Sequence, residues 1–212
     1  MTTGPHGDRP HVVVHVAVSV DGCTAGFPVD VGRFYALAAT WREDVTLAGA
    51  DTILAQESAL AAAPQPGPAA GGPLLAVVDS RARVRAWAAL RDAGYWRGVL
   101  ALRARRTPPR PEAAVEELVT GDERVDLGEA LDALGRRGAR VVRVDSGGGL
   151  TGALLAAGLV DELSLLLHPV VAGTGHLWHG SSTPPSAQLE LRSSERLDGT
   201  SGVVWLRYDV GG

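Results

Sequence analysis

Val12, Val14, Val16 and Val18 fall on one face of an extended segment at 11–20, and Val13, His15, Ala17 and Ser19 on the other. Both faces lean apolar, which is the pattern of a strand covered on its two sides. Residues 30–42 switch to helical spacing, with Asp30 as cap and Phe34, Leu37, Ala38 and Trp41 as the apolar positions. A short buried strand at 45–48 follows, then a helix opened by Gly49-Ala50-Asp51-Thr52. Residues 61–73 hold Ala, Pro, Gly and Gln without periodicity and read as a flexible surface loop.

The alternation continues with a strand at 74–78, a helix near 84–93, a strand at 99–102 and a proline-rich turn at 107–111. A helix at 127–137 leads to a strand at 140–144, a glycine turn, a helix at 150–157 and a strand at 163–167. Two last strands, 189–197 and 203–210, flank Asp198-Gly199-Thr200-Ser201-Gly202 and predict an antiparallel hairpin. Strands alternating with helices imply an α/β fold with a mostly parallel central sheet, made mixed by the terminal hairpin. The 212 residues carry no repeat and no linker, so one domain is expected, with 1–10 and 61–73 flexible.

Composition narrows the function. With 45% hydrophobic and 21% charged residues the chain reads as soluble and globular, and its apolar runs stop short of the roughly 20 residues of a membrane span. A net charge of -4 offers no field for a nucleic acid. All twenty basic residues are arginine, which removes Schiff-base chemistry and a phosphate-loop lysine. One cysteine, Cys23, forms neither an intrachain disulfide nor a Cys-based zinc site, and Met1 to Pro10 has no apolar h-region, so the cytoplasm is the expected compartment.

In α/β sheets ligands bind beyond the carboxyl ends of the strands, which directs attention to four turns. Asp145-Ser146-Gly147-Gly148-Gly149-Leu150 joins a Val-rich strand to an apolar helix; it is either a phosphate cradle of backbone N–H groups or a plain βα turn. Gly49 and Thr52 have the same placement, as ligand contacts or as a simple cap. Asp79-Ser80-Arg81-Ala82-Arg83 offers a hydroxyl and two guanidiniums suited to a phosphate monoester, or is a solvated basic turn. Ser19-Val20-Asp21-Gly22 ends the first strand with a carboxylate able to orient a polar heterocycle, or with an ordinary Asp-Gly turn. Asp145 lies at a comparable strand end.

Other residues point elsewhere less well. His168, His176 and His179 match no zinc spacing, so no metal is expected. His15, inside the first strand, fits a satisfied core imidazole better than a base. No G-x-S-x-G elbow surrounds Ser146 or Ser164. The tryptophans at 41, 87, 96, 178 and 205 read as core or interface anchors.

Taken in order, Ser19-Val20-Asp21-Gly22, Ala48-Gly49-Ala50-Asp51-Thr52, Val77-Val78-Asp79-Ser80, Asp145-Ser146-Gly147-Gly148 and Gly158-Leu159-Val160-Asp161-Glu162-Leu163 resemble the riboflavin-pathway pyrimidine reductases. That family includes the reductase domain of bacterial bifunctional deaminase-reductases and shares the dihydrofolate reductase-like fold. The resemblance implies an NADPH-dependent reductase acting on a ribosylaminopyrimidine or related C=N compound, commonly a homodimer. It implies that Gly49 and Thr52 approach the cofactor, Ser80 and Arg81 its 2′-phosphate, and Ser146, Gly147, Gly148, Gly149 and Leu150 its pyrophosphate. Ser19, Asp21 and Asp145 would face the substrate, and the resemblance supplies no catalytic acid or base.

The chain departs from the family's pattern in two places. Cys23-Thr24-Ala25-Gly26 lacks the lysine, and Ala55-Gln56-Glu57-Ser58-Ala59-Leu60 the arginine, that help hold the substrate phosphate; Arg33 or Arg42 would have to replace them. The zinc ligands of the deaminase half do not occur in the sequence. Two other readings stay open: a dihydrofolate reductase-type enzyme, and an NADPH- or nucleotide-binding protein without catalysis.

Overall fold

The computed structural model describes residues 9–108, 115–180, 186–199 and 202–211. The expectation for 1–8, the end of the proline-rich turn at 109–111 and the hairpin residues 200–201 lie outside them. The chain divides into two compact units, one on Glu43–Val142 and one on His11–Arg42 with Arg143–Gly212.

The first unit alternates β2 (Val45–Gly49), α2 (Ala50–Ala62), β3 (Leu74–Val78), α3 (Trp87–Asp92), β4 (Gly98–Arg103), β5 (Glu116–Val119) and α4 (Leu127–Arg136). Its strands lie in the order β5-β4-β3-β2, every neighbouring pair parallel. Register places Gly49 beside Val78 and Val78 beside Leu102, so the exits of β2, β3 and β4 line up. Strand residues Ala48, Leu75, Val77 and Ala101 pack with Ile53 and Leu60 of α2 and Trp87 and Leu90 of α3. Such burial on parallel strands is why they read as near-continuous apolar runs.

β5 was not expected. Glu116-Glu117-Leu118-Val119 carries no apolar alternation because it is the outer strand of this unit, partly exposed, and Glu117 pairs at 2.5 Å with Arg103 of β4. The loop predicted at 61–73 begins later, since α2 runs to Ala62. Its Gly67 and Ala69 N–H groups donate to the Asp92 and Trp96 carbonyls. The helix predicted near 84–93 is shorter, because the buried Asp79 carboxylate accepts from the N–H groups of Arg83 and Val84 and holds them in a turn.

The second unit contains β1 (His11–Ser19), α1 (Val31–Ala38), α5 (Gly148–Ala156), β7 (Glu162–His168), β8 (Gln188–Arg196) and β9 (Val204–Gly211), while β6 (Val141–Val144) crosses the boundary between units. β1 and β7 pair in parallel; β9 runs antiparallel to β7, and β8 to β9, with a register shift between Leu191 and Ser193. The expected fold class therefore holds: parallel strands alternating with helices, ended by an antiparallel hairpin. Glu162, 1% exposed, accepts from Arg207 at 2.7 Å and Arg192 at 3.0 Å, tying β7 to β8 and β9. Burial alone would push its carboxyl up, but His11 and Arg207 overcome this and bring it down to about 2.

Candidate functional site

In the first unit the candidate residues sit where β2 and β3 end. Gly49 caps α2 in an extended conformation, and Thr52 lies half-buried in the first helical turn. Asp51 of that turn pairs at 2.7 Å with Arg83. The turn after β3 is tightly determined. Asp79 holds the N–H groups of Arg83 and Val84, the Ser80 hydroxyl accepts from the Val125 N–H at 3.1 Å, and the Ser80 carbonyl accepts from the Thr107 hydroxyl at 2.9 Å. Ala82 adopts a left-handed φ of 50°, a conformation that costs a non-glycine residue energy and persists where its surroundings enforce it. Two arginines that look alike in the sequence thereby part company. Arg83 is committed to Asp51, whereas Arg81 is exposed with no side-chain partner among the described residues.

In the second unit the turn leaving β1 is stitched to residues 170–178. Val20 N–H donates to the Val170 carbonyl, Trp178 N–H to Gly22, and Thr24 N–H to His176. Asp21 is the clip: its carboxylate accepts from the Ser19 hydroxyl at 2.6 Å and from the N–H groups of Ala172 at 2.9 Å and Gly173 at 2.8 Å. Those donors, Ser19 foremost, hold Asp21 far below the usual carboxylate range although it is exposed. With about four acceptor positions on a carboxylate, little of Asp21 is left over for a ligand. Ser19 is 1% exposed, and its hydroxyl donates to Asp21 and accepts from the Cys23 N–H, so it supports the turn.

The glycine turn also differs from expectation. α5 begins at Gly148, two residues before the predicted start at Leu150, with Gly147 as its cap. Gly148 and Gly149 are thus helical, and Leu150 already lies inside the first turn. A Cβ on Gly148 would press on the Leu177 carbonyl oxygen and on Gly180, and one on Gly152 would meet the His179 carbonyl. Gly148 must be small because another stretch of backbone lies against it. Gly147 and Gly149, by contrast, have open space where a Cβ would be, and Ser146 lies half-buried beside them. Gly148→Ala is expected to destabilise the protein by about 1 to 3 kcal/mol, while Gly147→Ala stays within about 0.5 kcal/mol. Urea unfolding of both variants checks this; equal losses would contradict it.

Asp145 follows β6 and is not alone. Its Oδ2 accepts from the Tyr35 hydroxyl at 3.2 Å and from Arg143 at 3.2 Å. Sequence reading passed over Arg143, although a charge within Arg140-Val141-Val142-Arg143-Val144 was the available signal. Tyr35 gave none, since it reads as one more residue of α1. Nearby, His15 is 2% exposed and fully bonded, Nδ1 to the Ser164 hydroxyl at 2.9 Å and Nε2 to the Phe34 carbonyl at 3.2 Å. Arg33, a candidate phosphate ligand, donates to the Asp198 carbonyl at 2.6 Å. Among the described residues no group of three or more His, Cys, Asp or Glu side chains is placed to hold a metal ion.

A family model described as the RibD C-terminal domain matches residues 10–202. A 2,5-diamino-6-ribosylamino-4(3H)-pyrimidinone 5′-phosphate reductase of Archaeoglobus fulgidus is 31% identical over 187 residues, covering 78% of this chain and 83% of that protein. A reductase of the same description from Methanothermobacter thermautotrophicus is 29% identical over 180 residues, covering 78% of this chain and 80% of its own. Among solved structures, RibD of Acinetobacter baumannii superposes with a TM-score of 0.74 at 21% identity. That match covers 97% of this chain but only 59% of the Acinetobacter one. A dihydrofolate reductase from Enterococcus faecalis, complexed with NADP(H), gives a TM-score of 0.54 at 10% identity, covering 95% of this chain and 97% of its own, a likeness of fold.

Proposed function

Because the chain belongs to the RibD C-terminal domain family, whose matched curated relatives are pyrimidine phosphate reductases, we propose that it is an NADPH-dependent reductase of a ribosylaminopyrimidine or a related C=N compound. The observation that carries the cofactor reading is the turn after β3, where Asp79 and Ser80 fix the backbone and Arg81, next to Ser80 in sequence, is exposed with no side-chain partner among the described residues. A planar guanidinium next to a hydroxyl suits the 2′-phosphate that distinguishes NADPH from NADH. Open space at Gly147 and Gly149, at the N-terminal turn of α5 where backbone N–H groups point out of the helix, suits the pyrophosphate. Within the first unit, Gly49 and Thr52 at the start of α2 are the other proposed cofactor contacts.

Bound, NADPH would supply the hydride. The residues of this chain then bind, orient and exclude water; no covalent nucleophile is required. Asp145 is the proposed substrate contact of the β6 exit, and Asp21 serves mainly to fix the β1 turn. A homodimer in the cytoplasm completes the proposal, with the exposed strand β8 and its Leu189 and Leu191 as the surface available to a second copy.

One observation favours a second reading, NADPH binding without turnover. The lysine and arginine expected to hold a substrate phosphate are absent from 23–26 and 55–60, and Arg33 is engaged with Asp198. Calorimetric titration with NADPH and with NADH, followed by NADPH oxidation in the presence of 2,5-diamino-6-ribosylamino-4(3H)-pyrimidinone 5′-phosphate, separates the two. Micromolar NADPH binding with turnover is the expected result. Binding without turnover of this or any related imine supports the second reading, and no binding of either dinucleotide overturns both.

A further inference from the structure

Arg143 and Asp145 stand two residues apart at the end of an extended segment, so their side chains leave on the same face. The Arg143 side chain is 5% exposed and that of Asp145 is 26% exposed. A guanidinium so deeply placed requires an anionic partner, and Asp145 supplies it at 3.2 Å. The Tyr35 hydroxyl reaches the same oxygen, Oδ2, also at 3.2 Å, and the Arg143 guanidinium stacks over the Tyr35 ring at 5.8 Å. Each of the three side chains thus contacts the other two.

Their scaffold is rigid. Asp30 caps α1 by accepting from the Arg33 N–H, and Phe34, one residue before Tyr35, stacks on the buried His15 ring at 4.3 Å. His15 is anchored in turn through Ser164, whose hydroxyl also receives the Trp205 indole N–H at 2.7 Å. The helix that carries Tyr35 is therefore pinned one residue away from it.

Both protein donors converge on Oδ2. Among the described residues nothing bonds Oδ1, the oxygen of a partly exposed carboxylate at a strand exit. We infer that Arg143 and Tyr35 are positioning residues that grip Asp145 by Oδ2 and present Oδ1 as a directed acceptor to an N–H or O–H donor of a neutral substrate ring or sugar. Arg143 offsets the Asp145 charge, so the site selects for a donor placed at one angle and not for a cationic group. The inference rests on the reductase reading for the identity of that substrate.

The test uses the full chain with Tyr35→Phe, Arg143→Leu and Arg143→Lys. Steady-state kinetics follow 2,5-diamino-6-ribosylamino-4(3H)-pyrimidinone 5′-phosphate, and calorimetry follows NADPH. Tyr35→Phe, at a residue exposed enough not to threaten folding, is expected to raise KM for the aminopyrimidine about 3- to 10-fold, the scale of one net hydrogen bond. Arg143→Leu is expected to raise it about 10- to 100-fold, as for a charged hydrogen bond, with Arg143→Lys recovering part of the loss. NADPH affinity stays unchanged in all three, and crystal structures of Tyr35→Phe and Arg143→Leu show the Asp145 carboxylate turned from its wild-type orientation. Unchanged KM values, or a parallel loss of NADPH affinity, overturn the positioning role. If wild-type protein does not turn over the aminopyrimidine, the reductase reading fails on its own, and the crystal structures still decide: an Asp145 carboxylate that keeps its orientation without Tyr35 or Arg143 refutes the inference.

Discussion

Lowering the pH from 6.5 to 4 is expected to remove about 3 kcal/mol of folding stability through His15 alone. Burial is the main reason its pKa falls to about 4; the bond to the Phe34 carbonyl opposes the shift, Arg143 adds to it, Asp145 opposes it and Arg207 adds to it. The direction follows from the proton count. Above 6.5 the imidazole is neutral in both folded and unfolded chains, so nothing is lost. Between 6.5 and 4 the unfolded chain takes up a proton that the folded chain refuses, and stability declines throughout that interval. Glu162 acts in a lower window, because its folded pKa of about 2 lies under the ordinary 4.5; the stability it contributes above 4.5 is lost only as pH falls toward 2. Urea unfolding at several pH values, for wild type and for His15→Gln, separates the contributions. The variant should lose much less stability between pH 6.5 and 4, and an equal loss would show that His15 is not the group responsible.

Arg81→Ala is expected to weaken NADPH binding by about 10- to 100-fold and NADH binding by no more than about twofold, since one charge-assisted hydrogen bond to a phosphate is worth about 1.5 to 3 kcal/mol. The contrast with Arg83 sharpens the expectation. Arg83 already spends its guanidinium on Asp51 at 2.7 Å, so Arg83→Ala should cost NADPH less. Calorimetric titration of the two variants with both dinucleotides measures this. Equal losses for NADPH and NADH in Arg81→Ala would remove Arg81 from the 2′-phosphate role and leave the turn after β3 a structural one.

The strands β1, β3, β4 and β7 were legible because they are largely buried, and burial writes itself into sequence as runs rich in Val, Leu and Ala, broken in β1 by His15 and in β7 by Ser164. The hairpin was legible from its turn residues and β-rich flanks. β5 was not, because an outer strand with charged, partly exposed positions needs no apolar pattern, and its existence depends on Arg103 and β4 being alongside. The same division runs through the candidate site. Asp30 as a helix cap and His15 as a core imidazole followed from local rules, which involve few residues and short distances.

Roles that depend on partners far along the chain did not follow. Gly148 looked like its neighbours Gly147 and Gly149, yet the backbone at Leu177 and Gly180 lies against it and leaves the other two open. Arg81 and Arg83 looked equivalent until Asp51 claimed one of them. Asp21 looked like a substrate ligand until Ala172 and Gly173, some 150 residues later, were found on its carboxylate. By itself the sequence determined the order of the elements other than β5, the buried strands and where the turns between them fall, since periodicity, capping and turn propensity are local properties of a chain. Only the tertiary structure decided which polar groups in those turns are already satisfied and which remain available, because hydrogen bonds and ion pairs are closed by residues that folding brings together from distant positions.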